Sequence, residues 1–219
     1  LPRAAYALTY NNAVTNRSCY SFCMGPGGVS IGSSSEPEML VVNGMSNLRR
    51  HSGFANSALV TNVRPDDFEG NDPLAGVRFQ QRWERMAFEA GGSNYHAPGQ
   101  NLLGFIGKGS GGYHSSYRPG VVAVDLASIL PTYVTSTLRE GIESFGRKMK
   151  GFVTGEATLT GVETRTSAPL RIVRGEDLQS PSLQGLYPCG EGAGYAGGIM
   201  SAALDGVRVA DRIAAQITP

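Results

Sequence analysis

The sequence lacks an excess of charge of either sign. Lys and Arg number 19, Asp and Glu number 18, and the formal net charge is +1. A protein that grips nucleic acid concentrates positive charge to neutralise phosphates. With 17% charged residues in near balance, nucleic acid is not an expected partner. Long hydrophobic runs are also missing. No stretch approaches the ~20 apolar residues that span a bilayer, so no membrane role is expected. The opening LPRAAYALTYNN lacks the basic-then-apolar order of an export signal. Cysteine is scarce and odd in number, at three. That excludes a disulfide scaffold and points to a reducing, cytoplasmic compartment. The three histidines (His51, His96 and His114) are scattered and without paired carboxylates, so no metal site is expected.

Glycine is abundant instead. Thirty of 219 residues are glycine, about twice the ordinary share of ~7%. They have no period, which excludes collagen. They cluster at Gly25 to Gly28, Gly107 to Gly112 and Gly190 to Gly198. Clustered glycine in a chain that is 41% hydrophobic implies tight turns, or backbone pressed against something. The chain opens on Leu1 in a strand-like run rather than on Met, and reads as part of something longer.

The pattern along the chain predicts an α+β (mixed α/β) fold. Residues 4–10, 18–23, 29–31, 40–42 and 58–63 read as strands, with a turn at Asn11-Asn12. Asp72 and Pro73 open a helix to residue 90 whose apolar face is Phe79, Trp83, Met86, Ala87 and Ala90. Residues 98–124 read as loop, with a strand at Val121 to Val124. Pro131 opens a second helix along Val134, Leu138, Ile142 and Phe145. Residues 158–174 alternate and read as strands with a bend at Pro169. The last unit is a strand at Gly185 to Tyr187, a glycine loop, and a helix from Gly198 to Gln216 packed through Ile199, Ala203, Gly206, Val207, Ala210 and Ile213. The expected division is a β-rich substrate or cap region over 1–184 with two amphipathic helices, and a closing strand–loop–helix over 185–219.

Gly192, Gly194 and Gly197 satisfy G-x-G-x-x-G between that strand and that helix. Small residues let backbone approach a ligand, and a helix N-terminus offers free N–H groups and partial positive charge. A dinucleotide fingerprint of the NAD type then needs a second strand ending in an acidic residue. Asp211 falls at the right distance, but inside the helix, so the unit closes a fold rather than opening one. The second match, Gly107, Gly109 and Gly112, is followed by no helix and is a weak phosphate candidate.

The stretch LYPCGEGAGYAGGIMSAALDGVRVADRI resembles the C-terminal flavin motif of FAD-dependent oxidoreductases of the two-dinucleotide-fold type. YSFCMGPGG, VVNGMS, FANSALV and GVETRTSAPLRI resemble a family of bacterial FAD-dependent dehydrogenases. The resemblance implies hydride transfer between a small organic substrate and FAD. It implies an N-terminal FAD domain as the partner of this region, outside the present chain. It also implies that Gly190, Glu191, Gly192, Ala193, Gly194, Gly197, Gly198, Ile199 and Met200 line the cofactor. Glu191 would reach the ribityl hydroxyls, and the amides of Gly198 to Met200 would face the pyrimidine end of the ring. The alternative is a non-catalytic region that acts in dimerisation or substrate gating without FAD. A second copy of the chain is then a candidate partner.

Catalytic candidates are three. Arg165, on an expected strand beside Glu163, either clamps a carboxylate or flavin oxygen or forms a structural ion pair. Tyr195 either stacks on the ring, acts as an acid, or covers the loop. Cys23 is a redox thiol near the flavin or, by the more ordinary reading, a buried apolar cysteine. Cys189 reads as a strand residue. Ser110 and Ser201 lack the G-x-S-x-G spacing, so hydrolase chemistry has no support.

Overall fold

A computed structural model describes residues 7–217. The described chain is mixed α+β, with small sheets and helices, as the sequence predicts. It forms two compact units. One comprises residues 1–67 and 81–164, the other 68–80 and 165–219.

The first unit carries the sheets. Strands β1 (Leu8–Asn12), β2 (Arg17–Pro26) and β5 (Ala55–Thr61) form one antiparallel sheet in the order β1-β2-β5. β3 (Gly28–Gly32) and β4 (Val42–Ser46) form an antiparallel pair. Asn11 and Asn12 lie within β1 rather than in the expected turn. The turn follows them, because the Asn12 side chain accepts from the amides of Val14 and Thr15. The strand read at residues 40–42 begins only at its end, at Val42, since Leu40 and Val41 lie outside the ladder. The part of the first expected strand at residues 4–6 lies outside the described residues.

Helix α3 (Thr132–Lys148) packs on β1, β2 and β5. Its expected stripe ends inward, with Ile142 and Phe145 fully buried. Gly141 is the contact point. A Cβ there would lie 2.5 Å from the Cys19 sulfur, so the close approach of helix and strand requires glycine. Helix α1 (Ala75–Ala90) starts two residues later than expected, and Pro73 precedes it. Asp72 accepts from the Leu74 amide at 3.0 Å, the local bond that starts the turn.

The region expected to be loop supplies the central strand of the third sheet, and the strand expected at Val121 to Val124 is present as one of its edges. β6 (Ala97–Asn101) lies between β7 (Val121–Ala123), which runs parallel to it, and β8 (Thr158–Thr160), which is antiparallel. A short helical turn, α2 (Leu102–Phe105), follows β6, with Asn101 as its cap. The core of this unit gathers Leu40, Phe88, Ala97, Phe105, Leu126 and Ile142, among others. β8 stops at Thr160, and residues 161–174 form no strand, so the expected strands bent at Pro169 are not present.

The second unit contains no strand among the described residues. It consists of residues 68–80, the irregular segment 165–198 and helix α4 (Ile199–Ile217). Phe68 and Phe79 pack with ring centroids 5.5 Å apart. The expected strand at Gly185 to Tyr187 is absent, because no neighbouring strand lies within this unit to pair with it. Those residues instead close a turn in which Ser180 N–H donates to the Leu186 carbonyl at 2.7 Å.

Candidate functional site

The glycine loop runs from Gly190 to Gly198 in the second unit and leads directly into α4. Its shape is held from below by an ion pair. Arg174 donates to both Asp205 oxygens, at 2.9 and 2.7 Å. Both side chains are almost fully withdrawn from solvent, at 7% and 6% exposure. Arg174 also donates to the Pro188 carbonyl at 2.8 Å, and Asp205 accepts from the Gly190 amide at 2.9 Å. One carboxylate on the second turn of α4 therefore ties the segment entering the loop to the helix leaving it. The bond to Arg174 holds the Asp205 carboxyl below the ordinary aspartate value, and Asp205 in turn raises the arginine.

Within the loop, glycines divide by reason. Gly190 and Gly194 hold positive φ, at 72° and 81°. At Gly194 a Cβ would also come within 2.5 Å of the Leu170 carbonyl oxygen. The fold of the unit needs those two as glycine. Gly192 and Gly197 have neither a positive φ nor any heavy atom within 4 Å of where a Cβ would be. Nothing inside the described chain asks for glycine at either. The Glu191 side chain has no hydrogen bond or ion pair among the described residues.

At the start of α4, Ser201 Oγ accepts from the Gly197 amide at 3.3 Å and donates to the Gly198 carbonyl at 2.9 Å. The amides of Ile199 and Met200 occupy the first turn, where no intrahelical acceptor exists. Both side chains stand in the open, 88% and 73% exposed. Ala193 is buried, and its carbonyl accepts from the Ile172 amide at 3.1 Å.

Tyr195 is occupied. Its hydroxyl accepts from the Arg174 amide at 3.1 Å. The Arg174 guanidinium carbon lies 3.7 Å from its ring centroid and that of Arg171 5.0 Å. Arg171 Nε also donates to the Gly194 carbonyl at 3.1 Å. Tyr195 is thus the pin that seats the loop on residues 171–174.

The packing face of α4 differs from the expected one. Ile199, Ala203, Val207 and Ala210 are exposed, Val207 at 58%. The inward face is Ala202, Asp205, Gly206, Val209 and Ile213. The ion pair with Arg174 turns Asp205 inward, and the apolar stripe is left outside. Among the described residues no atom lies within 4 Å of a Cβ at Gly206.

Cys23 belongs to the first unit, is exposed rather than buried, and sits with φ 51° where β2 slips its register against β5. An irregular strand turns that side chain outward. Cys19 is the buried thiol, and burial pushes it up to about 12, which keeps it unreactive. Cys189 is exposed and not in a strand. Arg165 is exposed and also lies outside any strand. In the first unit Glu84, fully buried on α1, accepts from the Thr164 hydroxyl at 2.6 Å. Glu163 beside it is half-buried, and desolvation raises its carboxyl. No group of three or more His, Cys, Asp or Glu residues among the described ones has the arrangement to hold a metal ion. No helix among them is long and apolar enough to cross a membrane.

The sequence missed Arg174, Asp205 and Glu84. Only Glu84 carried a local signal, an acid between Trp83 and the apolar positions Ala87 and Phe88.

The profile of the family described as "FAD-dependent protein, C-terminal domain-like" matches residues 1–166. A protein of Clostridium beijerinckii, named only as uncharacterized, is 48% identical over 217 residues, which is 97% of this chain and 41% of that protein. The chain thus spans well under half the length of the relative it matches.

Proposed function

Because the chain belongs to the FAD-dependent protein, C-terminal domain-like family, we propose that it is the C-terminal part of a FAD-dependent oxidoreductase and that its 190–200 loop lies against the flavin. The observation that carries this reading is the pair Gly192 and Gly197. Glycine there costs backbone entropy on folding, yet no atom of the described chain occupies the space beside either one. Room left beside bare backbone, next to first-turn amides, suits a flat electron-rich ring.

The residues present fit such a group. The amides of Gly198, Ile199 and Met200 would hold the pyrimidine end. Glu191, whose carboxylate has no partner among the described residues, would accept from ribityl hydroxyls. Bound flavin would supply hydride acceptance from a small organic substrate. The chain's own contribution is orientation and field: the partial positive charge of the α4 N-terminus favours negative charge brought to it. Tyr195, pinned by Arg174, positions the loop. Catalytic roles for Arg165 or Cys23 are not part of this proposal.

The partner required is the segment that supplies the rest of the flavin fold. The exposed apolar stripe of α4 (Ile199, Ala203, Val207, Ala210) suits packing against it. The test is flavin absorbance and fluorescence, measured on a longer form carrying the preceding flavin domain and on the 219-residue chain titrated with FAD. The reading predicts a yellow longer form that loses flavin on Glu191→Gln. A longer form that never retains flavin would end it.

A further inference from the structure

We propose that an open surface cleft in the first unit, bounded by Gly32, residues 34–37, Tyr95 and residues 117–119, binds a small organic carboxylate with the exposed Arg118 as its counter-charge. The cleft measures about 500 Å3, within the range of ordinary small-molecule sites. All its lining residues belong to one compact unit.

The lining is rich in donors. Arg118 has no hydrogen bond or ion pair among the described residues and so offers five N–H groups in a planar fork. The Tyr95 hydroxyl accepts from the Glu38 amide at 3.2 Å, which leaves its proton free to donate. The Ser34 hydroxyl accepts from the Val41 amide at 2.9 Å and keeps its proton likewise. The acceptors are already engaged. Glu36, the one carboxylate in the lining, accepts from Gln81 Nε2 at 2.9 Å. Tyr117, buried at the base, donates to the Tyr95 carbonyl at 3.1 Å. A cleft with spare donors, a spare cation and a committed acid favours a ligand that brings acceptors and negative charge.

The walls select further. Pro119 and the two tyrosines present flat apolar surface, which suits a carboxylate on a planar or hydrocarbon body rather than a bare ion. The wall is held with backbone strain. Tyr95 sits at φ 64° and Glu38 at φ 57°, both in the left-handed region that non-glycine residues rarely adopt, and the Glu38–Tyr95 hydrogen bond joins them. Strain of this kind persists where the surroundings fix it, and it concentrates at ligand sites.

This inference does not rest on the flavin reading, because no lining residue lies in the 190–200 loop. The probe is benzoate, titrated calorimetrically into the full 219-residue chain at constant ionic strength. Saturable binding is expected. Neutral benzamide should bind at least about tenfold more weakly, as should benzoate to Arg118→Gln, since the charge-assisted pair is then missing. Arg49→Gln, which alters an exposed arginine outside the cleft, should bind as the parent does. Inorganic phosphate at equal concentration should displace little benzoate. Equal affinity for benzoate and benzamide would overturn the proposal. So would unchanged affinity in Arg118→Gln with its melting curve intact, no saturable binding of benzoate, or full displacement by phosphate. If Arg118→Gln does not fold, Tyr95→Phe supplies the second readout, with roughly threefold weaker binding expected for one lost neutral hydrogen bond.

Discussion

Arg174 and Asp205, 31 positions apart, meet in two hydrogen bonds of 2.9 and 2.7 Å beneath the glycine loop. The pair is the main polar tie within the second unit, which has no strand among its described residues to hold it. Removing one member leaves the other buried and uncompensated, at a cost of about 3–5 kcal/mol. Asp205→Asn and Arg174→Gln should each lower the midpoint of urea unfolding of the second unit. The double variant should lose less than the sum of the two. An additive double-mutant cycle would show that the two residues act separately.

Acid should loosen both units, for one reason. Asp205 is held below the ordinary aspartate value first by Arg174, and Asp67 first by Arg17, with which Asp67 pairs at 2.8 and 2.6 Å. A carboxylate depressed in the folded state binds protons more weakly there than in the unfolded chain. Its stabilisation is complete above the unfolded value of about 3.9 and disappears as pH falls through the lower folded value. The contribution of these two pairs to the urea midpoint should therefore be constant from neutrality to about pH 5 and fall below about pH 4. Asp67→Asn should flatten part of that fall.

Glu163 works in the opposite direction. Burial raises its carboxyl, so the folded state holds that proton more tightly than the unfolded chain. The group costs stability as pH rises from the unfolded value of about 4.3 through the raised folded value, and the cost persists above it. Glu163→Gln should be more stable than the parent at pH 7 and indistinguishable from it at pH 3. Equal midpoints at both pH values would refute the account.

Much of this architecture was legible in the residues, but not all of it. The helices announced themselves by period. α3 lies where Pro131 and the Val134–Phe145 stripe put it, because its apolar face has a sheet to cover. β6 did not. Ala97-Pro98-Gly99-Gln100-Asn101 has low strand propensity, and its extended form comes from β7 and β8, which flank it from distant parts of the chain. The loop at 190–198 was visible as a glycine motif. The ion pair that seats it was not, because Asp205 looks like any acid on a helix until Arg174 draws it inward.

The two classes of glycine in that loop give separable outcomes. Gly194→Ala puts a side chain at φ 81° and against the Leu170 carbonyl. It should destabilise the chain itself by at least about 1 kcal/mol. Gly192→Ala and Gly197→Ala meet no atom of the described residues and should leave melting unchanged or slightly raised. In a longer form that carries flavin, both should nevertheless speed flavin loss. If all three variants retain flavin equally, the bare backbone has another purpose.

The outward stripe of α4 provides the sharpest contrast between this chain and a longer form. Val207 is 58% exposed, on a face with Ile199 and Ala203 that no described residue covers. In the isolated chain, Val207→Glu replaces one exposed side chain with another on a solvated helix face. Its stability should change by no more than about 0.5 kcal/mol. If, as proposed above, a flavin domain covers that face in a longer form, the same change buries an unpaired carboxylate and should cost several kcal/mol there. Thermal melts of both forms, with and without the substitution, measure the difference. A large loss confined to the longer form places the stripe at the junction. Equal, small losses in both mean that the stripe faces water in the longer form too, and that the proposed packing of a flavin domain on it is wrong.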